Sequence, residues 1–142
     1  MIVGEEICEV RVRSFFMDKS LVCSILVLFL RFSKTGWVSI DIGDGLLRIS
    51  QTENIPDLLA LSEIYDDFAY PVQNSHELDN YFGKKIKAVY EYKITDVEDG
   101  CVGVYIDFGS EGVSILEMDD NLSIADGLVV LSENISLSKI DI

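Results

Sequence analysis

Long stretches of the chain alternate apolar and polar residues with a period of two, and only an extended strand can use that spacing to bury one face. Over residues 7–13, Cys8, Val10 and Val12 share one side while Glu9, Arg11 and Arg13 share the other. The pattern returns in Ile86, Ala88, Tyr90, Tyr92 and Ile94, which alternate with Lys85, Lys87, Val89, Glu91 and Lys93. It returns again in Val102, Val104, Ile106 and Phe108. Half-buried strands of this kind need neighbours for their backbone donors and acceptors, and antiparallel meanders supply them through short turns.

Residues 21–32 are apolar on both faces and rich in branched side chains, the pattern of a central strand covered on both sides. Periodicity alone also admits a buried helix here. Residues 17–20 read as a turn. Thr35-Gly36 and Asp44-Gly45 punctuate two further strands over 37–42 and 46–50, and Asp-Gly is a strong hairpin signal. Towards the other end, a loop at 96–100 leads into Val102, and 109–112 turns into a strand over 113–118. Weaker strands follow at 128–131 and 135–142. Val38-Ser-Ile-Asp-Ile-Gly-Asp-Gly45 also aligns with Val104-Tyr-Ile-Asp-Phe-Gly-Ser-Glu-Gly112, with one inserted residue. Duplication of a three-stranded unit and convergence of two apolar hairpins both account for the match.

The middle of the chain changes character. Pro56 suits a first helical position, and Leu58, Leu61, Ile64, Tyr65 and Phe68 follow at helical spacing. A second, shorter helix is predicted from Asn74, with Glu77 as its capping-box partner, Leu78, Tyr81 and Phe82 as its buried face, and Gly83 as its left-handed stop. Pro71 separates the two. The expected fold is therefore α+β: antiparallel β-meanders at both ends with two short helices inserted between them. The 142 residues fit one domain spanning 1–142, and nothing resembles a linker.

Charge narrows function. Against 25 acidic residues stand 11 basic ones, a formal charge of −14, and a surface of that sign repels phosphate backbones. Residues 49–83 and 94–138 contain no Lys or Arg, while 84–93 carry four lysines and one glutamate. The three cysteines, Cys8, Cys23 and Cys101, form no paired spacing, which fits a reducing cytoplasm. The apolar run at 21–30 is about half the ~20 residues a spanning helix needs, so no membrane role is expected.

No catalytic constellation emerges. His76 is the single histidine, and beside Ser75 and Glu77 it reads as an exposed helix-end residue rather than a base. One His and scattered Cys give no zinc set, and the acidic stretches at 96–100 and 119–120 lack EF-hand spacing. Ile40-Asp-Ile-Gly-Asp-Gly45 resembles the phosphate hairpin of actin-like sugar kinases, but the chain lacks their length and remaining motifs. Asp41 and Asp107 could form a carboxylate pair for acid–base work, yet each precedes a glycine turn where Asp commonly satisfies backbone donors. The expectation is a protein that is not an enzyme and has no cofactor and no metal.

What remains is recognition of a basic partner. In size, acidity and strand pattern the chain resembles bacterial immunity proteins against contact-dependent and other polymorphic toxins. The segments that carry the resemblance run from Gly83-Lys-Lys-Ile-Lys-Ala-Val-Tyr90 through Ile106-Asp-Phe-Gly109, and over Ile115-Leu-Glu-Met-Asp-Asp-Asn-Leu-Ser123. The resemblance implies a toxin-neutralising protein whose partner is a cognate, basic, nuclease-type toxin domain, with no direct nucleic-acid contact. The alternative is an acidic DNA mimic or adaptor acting on a host nucleic-acid-binding enzyme. The expected binding surface is the basic-free segment around the two helices: Glu63, Asp66, Asp67, Glu77 and Asp79 supply charge, and Tyr65, Tyr70 and Tyr81 supply anchoring rings. The rival surface is the set of acidic loops, residues 96–99 and Glu111 with Asp119 and Asp120.

Overall fold

Strand β1 (Ile7–Met17) pairs antiparallel with β2 (Ser20–Phe32), and β3 (Gly36–Gly43) and β4 (Leu46–Gln51) continue the meander in a computed structural model that describes residues 2–142. Met17 faces Ser20 and Gly43 faces Leu46, so both hairpins close through two residues. Asp18 and Lys19, like Asp44 and Gly45, have positive φ, the geometry that matches the twist of antiparallel strands. Two later short strands, β5 (Phe68–Ala69) and β6 (Val72–Asn74), return to the free edge of β1 and complete a six-stranded sheet.

The second sheet repeats this plan. Strands β7 (Ala88–Ile94), β8 (Cys101–Asp107), β9 (Gly112–Met118) and β10 (Asn121–Asp126) form a meander, and β11 (Ile135–Ile140) returns to the free edge of β7. Each sheet is thus a four-stranded meander closed on its first strand. In this correspondence β3 matches β9, whereas the aligned sequences place β3 against β8. The aligned hairpins also turn differently: 44–45 is a two-residue turn, while Asp107 faces Gly112 across four intervening residues.

One core joins the sheets. Val10, Val12, Leu28, Leu30, Val38 and Ile40 from the first pack with Val89, Val104, Ile106, Val113, Ile115 and Leu122 from the second. The second half of β2 is covered on both faces, as the sequence implies: Phe29 turns away from that core into a smaller cluster with Trp37 and Val72. The Arg11 and Arg13 guanidinium groups lie over the Trp37 and Phe29 rings at 5.0 and 5.2 Å.

Polar stitches add to the packing. The Asn121 side-chain oxygen accepts the Ile25 N–H at 3.0 Å and the Ser24 hydroxyl at 3.1 Å, tying β10 to β2. Buried Glu5 accepts the Lys34 and Thr35 N–H groups at 2.6 and 2.7 Å and also binds the Thr35 hydroxyl. Burial alone would push its carboxyl up, but these donors and the Lys34 charge outweigh it and hold the group below its ordinary value. Gly4 and Glu5 bond the backbone of Ile86, so the same short segment ties the β2–β3 turn to the chain entering β7.

The expected helices are absent. Strands hold 56% of the residues and helical turns 4%, with no helix of seven residues or more among the described residues, so the class is nearly all-β rather than α+β. The first predicted helix is an extended strap with a single 3-10 turn at Leu61–Glu63. Its backbone bonds go elsewhere: Leu59 and Val72 exchange N–H···O bonds at 2.9 and 3.0 Å, and the Pro56 carbonyl accepts from Arg11. The second contracts to a 3-10 turn at Asp79–Tyr81, because Asn74 belongs to β6 and the Ser75 N–H bonds the Val10 carbonyl. Gly83 does follow that turn with φ +78°, and Leu78 and Tyr81 are buried as expected. The physical reason is the free edge of β1, whose donors and acceptors need a partner that a helix cannot supply. No helix is long and apolar enough to cross a membrane among the described residues.

Candidate partner-binding surface

The eight residues expected at the binding surface fall into two groups. Phe68 faces Met17 and Asn74 faces Arg11, six residues further back along β1, which separates the groups by about 20 Å of strand. Glu63, Tyr65, Asp66, Asp67 and Tyr70 lie on the strap and on the turn between β5 and β6, while Glu77, Asp79 and Tyr81 follow β6.

In the first group, Tyr65 is 95% exposed and contributes no packing to the core. Glu63 accepts the Ala60 N–H at 3.2 Å and so shapes the 3-10 turn. Asp66 and Asp67 are exposed, and the Asp67 carbonyl accepts the Asp18 N–H at 2.8 Å, which holds this acidic pair against the tip of the β1–β2 hairpin. The Tyr70 ring stacks on Phe15 at 4.9 Å between centroids.

Tyr81 is not a surface anchor. It is 4% exposed, its ring stacks on Phe108 at 5.2 Å, and its hydroxyl sits against the Gly112 carbonyl at 3.1 Å and the Asp126 carboxylate. Burial, then the adjacent Asp126, push its phenol up to about 12, so it stays a neutral donor. Asp79 pairs with the His76 Nδ1 at 3.0 Å in the open, and Glu77 is exposed. Beside Tyr81 runs an open groove of about 760 Å³, but Lys84 pairs there with Glu111 and Asp126 with Tyr81.

The rival acidic residues also separate, with an unexpected result. Asp119 and Asp120, both with positive φ, form the two-residue turn between β9 and β10. Small acidic side chains tolerate that left-handed backbone, a structural reason for their presence. The turn packs on β2: the Cys23 Sγ lies 3.4 Å from the Asp120 carbonyl and 3.4 Å from the Asn121 side-chain oxygen. Burial and the Asp120 charge raise the Cys23 thiol against the opposing Ile25 amide, leaving it protonated. Hence Asp66 and Asp67 flank the first strand of the β1–β2 hairpin, and Asp119 and Asp120 flank the second. Part of each expected surface thus borders the same hairpin, whereas residues 96–99 lie in the loop between β7 and β8 and Glu111 pairs with Lys84. Across residues 14–24, 63–70 and 117–121, Lys19 is the single cation.

The remaining candidates take structural roles. Asp41 pairs with Arg48 at 2.7 Å, and Asp107 accepts the Gly109 N–H at 2.8 Å, closing the turn after β8. No group of three or more His, Cys, Asp or Glu side chains is arranged to hold a metal ion among the described residues. The apolar side of the hairpin was the missed element: Leu21 and Val22 read as buried strand positions, whereas a bulge exposes both.

In comparisons with known proteins, no family model, no curated protein and no solved structure matches the chain.

Proposed function

We propose that the protein is a toxin-neutralising immunity protein that binds a basic, nuclease-type toxin domain through the acidic end built around the β1–β2 hairpin. The observation that carries this reading is the placement of Asp67 and Asp120 against the same hairpin, each beside a second aspartate, in segments 14–24, 63–70 and 117–121 whose single cation is Lys19. A cationic active site built for phosphate is complementary to such a surface, and complementary fields accelerate association. The action is stoichiometric occlusion, requiring neither cofactor nor metal.

The test is co-expression with the toxin domain encoded in the adjacent reading frame. Cells arrested by that domain resume growth when the chain is present, and the two proteins co-purify. Arrest that persists despite soluble expression of the chain overturns the reading. Displacement of DNA from several unrelated DNA-binding proteins would instead support the DNA-mimic alternative.

A further inference from the structure

We infer that the tip of the β1–β2 hairpin is the anchor of this interface, its apolar side chains entering an apolar recess of a protein partner whose rim is basic. The inference rests on the function proposed above and deepens it by naming the contact and the partner's chemistry. The carrier is a local irregularity. Phe15 faces Cys23 and Phe16 faces Leu21, so Val22 is an extra residue on β2. Such a bulge re-aims side chains and sharpens the twist of the hairpin. Leu21 and Val22 are 57% and 56% exposed at this bulge.

Neighbouring chain enlarges the patch. Phe68 faces Met17 across β5 and β1, both exposed, and the Phe15 ring bridges Phe68 and Tyr70 by stacking at 6.2 and 4.9 Å. Isolated surface leucines are ordinary, but Met17, Leu21, Val22 and Phe68 put four exposed large apolar side chains around one hairpin tip of a strongly charged protein, which marks an interaction site.

Charge selects the occupant. A second copy of the chain would bring Asp66, Asp67, Asp119 and Asp120 against their own equivalents, and an anionic lipid surface would meet the same repulsion. A basic protein rim converts these carboxylates from an obstacle into guidance, while the hairpin tip supplies the desolvated centre that binding hot spots need.

The full-length chain, labelled with nitrogen-15, is titrated with two probe peptides. One has four Lys-Leu-Leu repeats and the other four Lys-Ser-Ser repeats, so charge is equal and only apolar content differs. The Lys-Leu-Leu peptide shifts amide resonances in residues 15–24, 66–70 and 117–121, and binds about tenfold more tightly than its control. Leu21→Ser combined with Val22→Ser removes that tenfold preference and leaves resonances distant from the hairpin unchanged. Asp66→Asn with Asp67→Asn, or Asp119→Asn with Asp120→Asn, weakens both peptides, and the loss fades at high salt. Equal affinities, shifts centred elsewhere, an unchanged preference in the serine variant, or no binding overturns the anchor. Growth rescue separates the two proposals. If the serine variant still neutralises the toxin, the anchor fails and the immunity reading stands. If the wild type does not rescue while the peptides behave as expected, the immunity reading fails and the anchor stands.

Discussion

In the second sheet, the return from β10 to β11 crosses the sheet on a relay of hydrogen bonds. The Val129 N–H donates to the Tyr92 hydroxyl at 3.1 Å, Tyr92 and Ser114 share a bond of 2.7 Å, and the Ser114 hydroxyl donates to the Gly127 carbonyl at 2.6 Å. In the first sheet, the return from β4 to β5 and β6 passes over Trp37 and Phe29, held by the Leu59–Val72 bridge and by Arg11 on the Pro56 carbonyl. Its own apolar side chains, including Ile55, Leu58 and Tyr65, stay exposed. Within the second sheet, glycines let β8 and β9 approach closely. A Cβ on Gly103 would lie 2.8 Å from the Ile115 carbonyl and 2.7 Å from Leu116, while one on Gly112 would come within 2.7 Å of the Ile106 carbonyl. Both returns leave apolar side chains exposed, Leu128 and Val130 in the second as well as Ile55 and Leu58 in the first, but the second is anchored through the buried side chains of Tyr92 and Ser114 and the first through a backbone bridge and Arg11.

Sharing of one core is the strongest element of this comparison and the easiest to break. Leu28→Ala in the first sheet and Ile106→Ala in the second should each cost roughly 2–5 kcal/mol, because both side chains are essentially fully buried. Both variants should unfold in one denaturant transition followed by circular dichroism. A biphasic curve in either would mean that the sheets melt separately.

Next in size is the relay. Tyr92→Phe should cost about 1–2 kcal/mol by leaving the Val129 amide without its acceptor. Hydrogen exchange should rise at Val129 in that variant and not in the strap of the first sheet.

Glu5→Gln should cost about 1–2 kcal/mol at neutral pH through its charge-assisted bonds. Because the folded-state carboxyl lies below its ordinary value of 4.5, the ionised group stabilises the protein fully above that value. The contribution is lost as pH falls through the lower folded-state value. The stability gap between wild type and variant should therefore close on acidification, as read from urea midpoints at a series of pH values.

The smallest effect sharpens the contrast. Tyr65→Ser should change stability by less than about 0.5 kcal/mol, since the ring is 95% exposed. Thermal melts of this variant and of Tyr92→Phe, measured together, should place the structural tyrosine far from the presented one.

Most strand positions were legible because burial on one face demands a period of two, and the two-residue turn at Asp44 and Gly45 is encoded in its residue types, but the strand expected at 128–131 is irregular chain and β10 was not foreseen. The helices were misread for a related reason. Apolar residues at 58, 61, 64, 65 and 68 fit a helical face, but Tyr65 and Phe68 are exposed and Leu61 and Ile64 only half-buried. Spacing says nothing about the unpaired edge of β1, which lies far back in the sequence and decides where those amides bond. Acidic residues were visible individually. Their meeting at the hairpin depends on Asp67 reaching Asp18 and Asp120 reaching Cys23, contacts that no local pattern encodes. The Val22 bulge was equally hidden, because an extra residue leaves an apolar run looking continuous.

The two returning strands also set how quickly the protein can form. Meander pairs join near neighbours through tight turns, but Arg11 must find Asn74 and Ile94 must find Ile135 after the intervening strands have ordered. Loop-closure entropy opposes both encounters until the final pairings form, so refolding belongs in the millisecond-to-second range typical of topologies dominated by distant contacts.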